Sequence, residues 1–439
     1  MHKKTFFIKV WGCQMNLYDA DLIRDILASS GFMPVDNEED ANIILFQTCS
    51  VRESAERKIF NHISLLSRRK RQLKNGLIIG ICGCMAQNYA SSLNKKYPDI
   101  DIICGPNGYI DLPNLLETAL SRGKFGVSTS EDKRVAYPVL NPSAIKGFQG
   151  YVAVMRGCDN FCSYCIVPHV RGREKSRPPE EIYTEVKGLV DNGVKDITLL
   201  GQNVNSYGKE LKTDFASLLY LLNTIKGDFR LRFLTSHPKD AEEKLFHAMA
   251  ECDKVCSYLH LPMQSGSNVI LEKMNRKYTR EKYFETIDLA RRIVPDLTVS
   301  SDFIVGFPGE TNDDFEKTCD AMRRVCYDSS FVFKYSPREG TDAARLPDDV
   351  PKEVKEERNR VLLALQEAIS HDNNKTYLGK NLRILVEDKS KRNPERLFGR
   401  TENFKRVVFA GDASLIGRIV EVKINRVTAL TLFGEQINV

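Results

Sequence analysis

Six short apolar runs alternate with five amphipathic stretches between Tyr151 and Tyr335, and that rhythm leaves few folds open. The strand-like runs are Tyr151–Arg156, Asp196–Leu200, Arg230–Thr235, Ser257–Leu261, Leu297–Val305 and Ser330–Tyr335. Helical stretches lie between them, near Pro179–Asn192, Phe215–Lys226, Ala241–Cys252, Arg280–Val294 and Asp313–Cys326. Six strand–helix units are too few for a closed eight-unit barrel. The expectation is an open, partial (β/α)6 barrel, followed by an amphipathic helix from about Glu353 to Asn373.

The flanks differ from this centre. Residues 1–125 also alternate, with strand runs Phe6–Trp11, Ala41–Gln47, Leu77–Cys82 and Asp101–Cys104 and helices near Leu17–Ser30, Glu53–Lys74, Ala86–Tyr97 and Asp111–Arg122. That argues for a doubly wound α/β domain. Residues 126–146 lack a period, carry Pro138 and Pro142, and read as a linker. Past Thr376 the pattern becomes short strands set off by glycine: Leu382–Val386, Lys405–Phe409, Gly417–Asn425 and Ala429–Phe433. This reads as a small all-β barrel of the OB-like kind. The chain is therefore expected to be α/β overall, with domains at 1–125, 147–373 and 376–439.

No apolar run approaches the ~18 residues of a membrane span, and the N-terminus is too short in apolar residues for a signal-peptide core. The expectation is a cytoplasmic protein without a membrane partner. In such a compartment the twelve cysteines are not expected to form disulfides.

Cys158, Cys162 and Cys165 fall within eight residues, after the first barrel strand. Three thiolates leave one iron of a four-iron cluster without a protein ligand. S-adenosylmethionine (SAM) can chelate that iron, and an electron from the cluster can then break its carbon–sulfur bond to give a 5′-deoxyadenosyl radical. The position suits chemistry, since barrel enzymes react at the C-terminal ends of their strands. Zinc is the alternative, with His169 as a fourth ligand. Cys13, Cys49 and Cys84 are scattered, yet each falls just past a strand of the first domain. In a parallel sheet those ends share an edge where ligands bind, so the three can hold a second cluster; buried core thiols are the alternative. Cys82, Cys104, Cys252, Cys256, Cys319 and Cys326 read as core. By placement after strands, Gln202, Asn203, Ser236, Gln264 and the stretch containing Asp302, Ile304 and Gly306 are candidate SAM contacts, although polar residues there are often only turn formers.

Several segments resemble the methylthiotransferase family of radical SAM enzymes: Gly12-Cys13-Gln14-Met15-Asn16, Gly83-Cys84-Met85-Ala86-Gln87, Gly157-Cys158 through Tyr164-Cys165, Leu261-Pro262-Met263-Gln264-Ser265-Gly266-Ser267 and Asp302 through Thr311. The resemblance covers essentially the whole chain, with a C-terminal TRAM domain. Gln14-Met15 and Arg171-Gly172-Arg173-Glu174 point to the branch acting on N6-isopentenyladenosine. The resemblance implies that both triads are catalytic and ligate [4Fe-4S] clusters, that Tyr164 packs near the SAM adenine, and that two SAM molecules are used per turnover. One supplies a methyl group to sulfur and the other the radical that takes hydrogen from carbon 2 of the adenosine at tRNA position 37. It further implies an electron donor such as flavodoxin or ferredoxin, a sulfur source and a monomeric enzyme. An aromatic C–H beside ring nitrogens is not acidic, so radical chemistry suits it and the absence of a paired-carboxylate signature is no objection; loss of a proton and an electron must follow.

The net charge is only +6, but twelve basic against seven acidic residues from Thr376 onward place +5 of it in the last segment. Lys389, Lys391, Arg392, Arg396, Arg400, Lys405 and Arg406 are interleaved with Phe398 and Phe404. Basic side chains grip phosphates and exposed rings stack on unpaired bases, so these are the expected RNA contacts. Arg68-Arg69-Lys70-Arg71 reads as a solvated helix face or a second contact to the anticodon stem. Two rival readings remain: a sister enzyme acting on threonylcarbamoyl-adenosine or on a ribosomal-protein aspartate, and a noncatalytic RNA-binding protein built around zinc or a structural cluster.

Overall fold

The computed structural model describes residues 4–49, 53–73, 76–122, 125–129 and 147–437. Its first unit is a six-stranded, wholly parallel sheet: β1 (Thr5–Val10), β2 (Met33–Pro34), β3 (Ile43–Thr48), β4 (Ile78–Gly83), β5 (Ile102–Cys104) and β6 (Gly126–Ser128), in the order β2-β1-β3-β4-β5-β6. Both faces are covered, so β3 and β4 are buried at every position and read as continuous apolar runs. Strand alternation divides them. Ile43 and Leu45 pack under α1 (Gln14–Ser29) and α4 (Leu112–Arg122), while Ile44 and Phe46 pack under α2 (Glu53–Leu73) and α3 (Cys84–Lys96). The doubly wound expectation holds. β2 and β6 were not legible, because two or three residues show no alternation. Gly126–Ser128 is therefore an edge strand and not linker; the remainder of the expected linker, 130–146, lies outside the described residues.

The centre carries six parallel strands in two half-sheets, β7 (Gln149–Ala153), β10 (Asp196–Leu200) and β11 (Arg230–Phe233), then β12 (Tyr258–His260), β13 (Thr298–Val305) and β14 (Ser329–Lys334). A parallel bridge from Leu231 to Val255 joins them. Helices α6 (Pro179–Asp191), α7 (Phe215–Asn223), α8 (Glu243–Glu251), α10 (Arg280–Ile293) and α11 (Asn312–Val325) wrap the outside, and short helices α5 (Val167–Arg171) and α9 (Asn268–Lys273) lie in loops at the strand ends. The result is the expected open barrel. α1 packs along the β7 edge, and α12 (Lys352–Lys375) packs on β14 at the other.

The first barrel strand is shorter than its apolar run. It stops at Ala153, and Met155–Arg156 (β8) turns away to pair antiparallel with Lys175–Ser176 (β9). Two contacts enforce the bend: the Arg177 backbone N–H donates to the Val154 carbonyl at 2.9 Å, and the Arg177 guanidinium, fully buried against Glu185, donates to the Ala153 carbonyl. This small ladder staples the neck of the loop that carries Cys158, Cys162 and Cys165.

The last unit is a closed five-stranded barrel of β15 (Asn381–Ser390), β16 (Asn393–Arg400), β17 (Arg406–Ala410), β18 (Ile419–Val427) and β19 (Leu432–Gln436), around a core that includes Ile384, Leu397, Phe409 and Val422. β16 was missed in the sequence because Asn393-Pro394-Glu395-Arg396 is polar; its pairing with β15 and β17 makes it a strand. Cys82, Cys104, Cys252, Cys256 and Cys319 are buried. Cys326, expected in the core, is exposed, because it ends α11 in a left-handed conformation.

Candidate functional site

The stapled loop holds its cysteines through backbone contacts. Gly157 sits at φ +73°, where a Cβ would lie 2.0 Å from the Arg173 carbonyl oxygen, so only glycine fits. Its N–H donates to Gln202 Oε1 at 2.7 Å. Cys158 N–H reaches Gly172 O, Cys165 N–H reaches Cys162 O, and Ser163 is tied by two bonds to Lys273 and Met274 at the end of α9. Burial pushes the Cys158 thiol up to about 11, and that of Cys165 up to about 12, with Cys162 adding repulsion at both. The three sulfurs thus lie in one another's fields, and Cys158 and Cys165 resist ionising as thiols. A cationic metal group removes that resistance by binding the thiolates directly. Arg276 donates to Cys162 Sγ at 3.3 Å and to the Pro262 carbonyl at 2.8 Å. His237 Nε2 stands 4.0 Å from the same sulfur; burial, with Arg276 beside it, pushes its pKa far down and keeps it neutral. His169, the fourth ligand of the zinc alternative, is exposed on α5, and among the described residues no three His, Cys, Asp or Glu side chains cage a single ion.

The second triad follows from sheet topology. β1, β3 and β4 are adjacent and parallel, so Cys13, Cys49 and Cys84 leave the sheet at one edge. Cys13 caps the N-terminus of α1 and Cys84 opens α3, places where a helix dipole favours a thiolate. A hydrogen bond with Cys49 lowers Cys13 to about 6, aided by the Arg171 charge. Burial raises Cys84, although Arg171 opposes it. Gly12 lets the chain pass: a Cβ there would lie 2.8 Å from the Cys49 Cβ. Three adjacent thiol groups, helix N-termini and a guanidinium form a donor set suited to an anionic, thiolate-ligated cluster.

The loop of the first triad packs against the second. Cys84 packs in one apolar cluster with Ile166, which directly follows Cys165, and Val170, on α5. Arg171, at the end of α5, donates through Nε to Cys84 Sγ at 3.2 Å and through Nη2 to Asp19 at 2.8 Å. Asp19 is fully buried on α1, with Gln47 and Tyr109 donating to it and Arg156 at 3.5 Å.

Beside the first triad opens a cavity of about 970 Å³, lined by Tyr164, Cys165, Gln264, Asp302 and Ile304 and by the exposed rings of Phe331 and Phe333 on β14. It is at the upper end of ordinary cofactor-sized pockets. Gln264 is held at φ +73° by a bridge to Phe303. The other candidate SAM contacts stand off this lining. Gln202 supports the Gly157 turn, and Asn203 donates to Asp240. Ser236 is buried with its hydroxyl unpartnered among the described residues. Gly306 donates to Glu310 and is backed by the Lys355 stem.

The basic residues of the small barrel divide into two sets. Lys389, Lys391, Arg392, Arg396 and Arg406 are exposed, with Arg406 stacked on Phe398 at 4.7 Å. Lys405 is a correction: it is buried and binds Asp328 at 2.6 Å and Asn374 at 2.9 Å. Arg400 pairs with Glu387 and lies over Phe404. Phe404 is not free for bases either, since it packs on Tyr258 and under Arg232. Arg230 and Arg232 donate to carbonyls at Arg400, Thr401 and Glu402. These residues dock the small barrel beneath the large one. The run at 68–71 is partly structural too, with Arg69 bound to the Glu39 carbonyl and Lys70 to Asp101.

Sequence reasoning missed His237, Arg276, Asp19 and Arg156. His237 was within reach of the placement argument, directly after Ser236; the others are joined only by the fold.

Comparison with known proteins agrees with this architecture. Residues 5–105 match the family described as "Uncharacterized protein family UPF0004", residues 152–322 the "Radical SAM superfamily", and residues 375–437 the "TRAM domain". A protein of Thermoanaerobacter sp. (strain X514) named tRNA-2-methylthio-N(6)-dimethylallyladenosine synthase is 46% identical over 99% of this chain and 93% of its own length. Its namesake in Moorella thermoacetica (strain ATCC 39073 / JCM 9320) is 43% identical over 99% of both. Among solved structures, the radical S-adenosylmethionine methyltransferase TsrM from Kitasatospora setae shares the fold, with a TM-score of 0.57 at 15% identity over 78% of this chain and 77% of that one. With two cysteine triads at strand ends, an open barrel, a terminal TRAM barrel and such identity over nearly its whole length, the chain belongs to the radical SAM methylthiotransferase family.

Proposed function

We propose that this protein is a tRNA methylthiotransferase that replaces the hydrogen on carbon 2 of N6-isopentenyladenosine, at position 37 beside the anticodon, with a methylthio group. The observation that carries the reading is the packing of the first triad's loop against Cys84 of the second, in a chain whose relatives bear that activity in their names. In this reading Cys158, Cys162 and Cys165 would hold one [4Fe-4S] cluster, which would supply reducing chemistry toward SAM, and Cys13, Cys49 and Cys84 would hold another, which would offer a site for sulfur. Tyr164, Gln264, Asp302 and Ile304 shape the pocket that orients SAM beside Cys165. Arg276 offsets the thiolate charge at Cys162, and neutral His237 adds none. The first domain, which runs through β6, the central barrel with α12, and the small barrel divide the work into sulfur handling, radical formation and RNA binding, with Lys389, Lys391, Arg392, Arg396 and Arg406 on phosphates. An electron donor and a sulfur source complete the cycle.

The test is anaerobic reconstitution followed by reaction with isopentenylated tRNA, SAM and a reductant, with mass analysis of the nucleosides. Methylthio-isopentenyladenosine is expected, at about eight irons per chain for two clusters. Product only on threonylcarbamoyl-adenosine, or about four irons, overturns the reading.

A further inference from the structure

Arg171 belongs by sequence to the radical-SAM loop, six residues past Cys165, yet its side chain lies in the other cysteine site. It is the end residue of α5, and the following Gly172 adopts φ +79°, which turns the chain back toward the β8–β9 neck. The guanidinium is 4% exposed and divides its donors between two domain-one groups: Nε to Cys84 Sγ at 3.2 Å and Nη2 to Asp19 at 2.8 Å. Nη1 is buried with no acceptor among the described residues. Asp19 is fully buried, and its second cation, Arg156, comes from β8 at the neck of the same loop. A planar guanidinium fixed by a carboxylate and donating to a sulfur is a rigid arrangement that Lys cannot reproduce.

We infer that Arg171 is a positioning residue of the auxiliary centre: clamped by Asp19, it donates to Cys84 and stabilises the more negative state of the cluster held there. The inference rests on the proposed assignment of Cys13, Cys49 and Cys84 as cluster ligands. Hydrogen bonds to ligating sulfur and nearby positive charge both favour the reduced, more anionic state of such a cluster. The loop that carries the first triad thus also sets the electrostatics of the second. A displacement of that loop would be felt directly at Cys84.

The experiment uses the full-length chain with Cys158, Cys162 and Cys165 changed to Ala, so that one cluster gives the whole signal. Iron content and the midpoint potential are read by redox titration with electron paramagnetic resonance, with Arg171 intact, as Arg171→Met and as Arg171→Lys. The expected result is about four irons in the Arg171 protein, a more negative potential in Arg171→Met, and a smaller shift in Arg171→Lys, which keeps charge but not the fork. If Arg171→Met fails to fold or to take up iron, the Arg171→Lys shift decides. A bound cluster whose potential and spectrum are the same with Arg and Lys, and with Met where it loads, overturns the inference and leaves the assignment standing. Absence of iron from the Arg171 protein overturns both.

Discussion

At the scale of single residues, two sites that look alike in composition differ in readiness. Cys13 is exposed and lowered to about 6 by its bond with Cys49 and by Arg171, whereas burial lifts Cys158 to about 11 and Cys165 to about 12. A thiolate, not a thiol, reacts with alkylating agents. Cys13 should therefore be the first cysteine of the triads labelled in metal-free protein at pH 7, with its rate falling by half near pH 6 as pH is lowered. Cys158 and Cys165 should label only above pH 9; peptide mass mapping across a pH series checks both. Gly157 offers a second residue-scale outcome. Gly157→Ala places a methyl group against the Arg173 carbonyl in a left-handed backbone, a strain of about 1–3 kcal/mol. Iron bound by the first triad should fall while circular dichroism stays native.

Elements separate gripping from docking within one basic segment. The exposed cations lie mainly on the β15–β16 hairpin, and Lys405 lies in the turn before β17. Changing Lys391, Arg392 or Arg396 to Ala should lower the slope of log affinity for tRNA against log salt by about one for each phosphate left without its cation, read by filter binding at several salt concentrations. Lys405→Met should leave that slope unchanged. It leaves the half-buried Asp328 without its cation, though still accepting from the Val299 N–H, a loss of about 1–3 kcal/mol, so chemical denaturation should show the loss and proteolysis should enter between α12 and β15. This division was not legible in the sequence. Lys405 and Arg406 are neighbours of identical charge, and only the packing of the turn against a second domain sends one inward. The same holds for Phe398 and Phe404. Elements with a long clean period, such as α11 with its Thr311 capping box or β3 with its unbroken apolar run, fell where the pattern put them. Those specified by partners, β2, β6, β8 and β16, did not. Cysteine placement was readable because a parallel sheet brings strand ends together whatever their sequence separation, while Arg171 and Asp19 meet only through packing of two domains.

The whole molecule places its parts at opposite ends of the central barrel. Cys158, His237, Gln264 and the large cavity lie where the strands finish. The docked small barrel touches Asp328, Arg230, Arg232 and Thr298, where the strands begin. α12 carries the chain between the two, its 24 residues spanning about 36 Å. β13, at eight residues, measures about 26 Å along its length. The docking surface and the cavity are thus separated by roughly the height of the protein's middle storey. A free nucleoside can occupy only one of these levels. In the proposed function, a ligand that enters the cavity and also meets the exposed Lys391, Arg392 and Arg396 of the small barrel must be long and stiff enough to reach past the barrel wall, so the molecule would act as a gauge of how far a base stands from the backbone those cations grip.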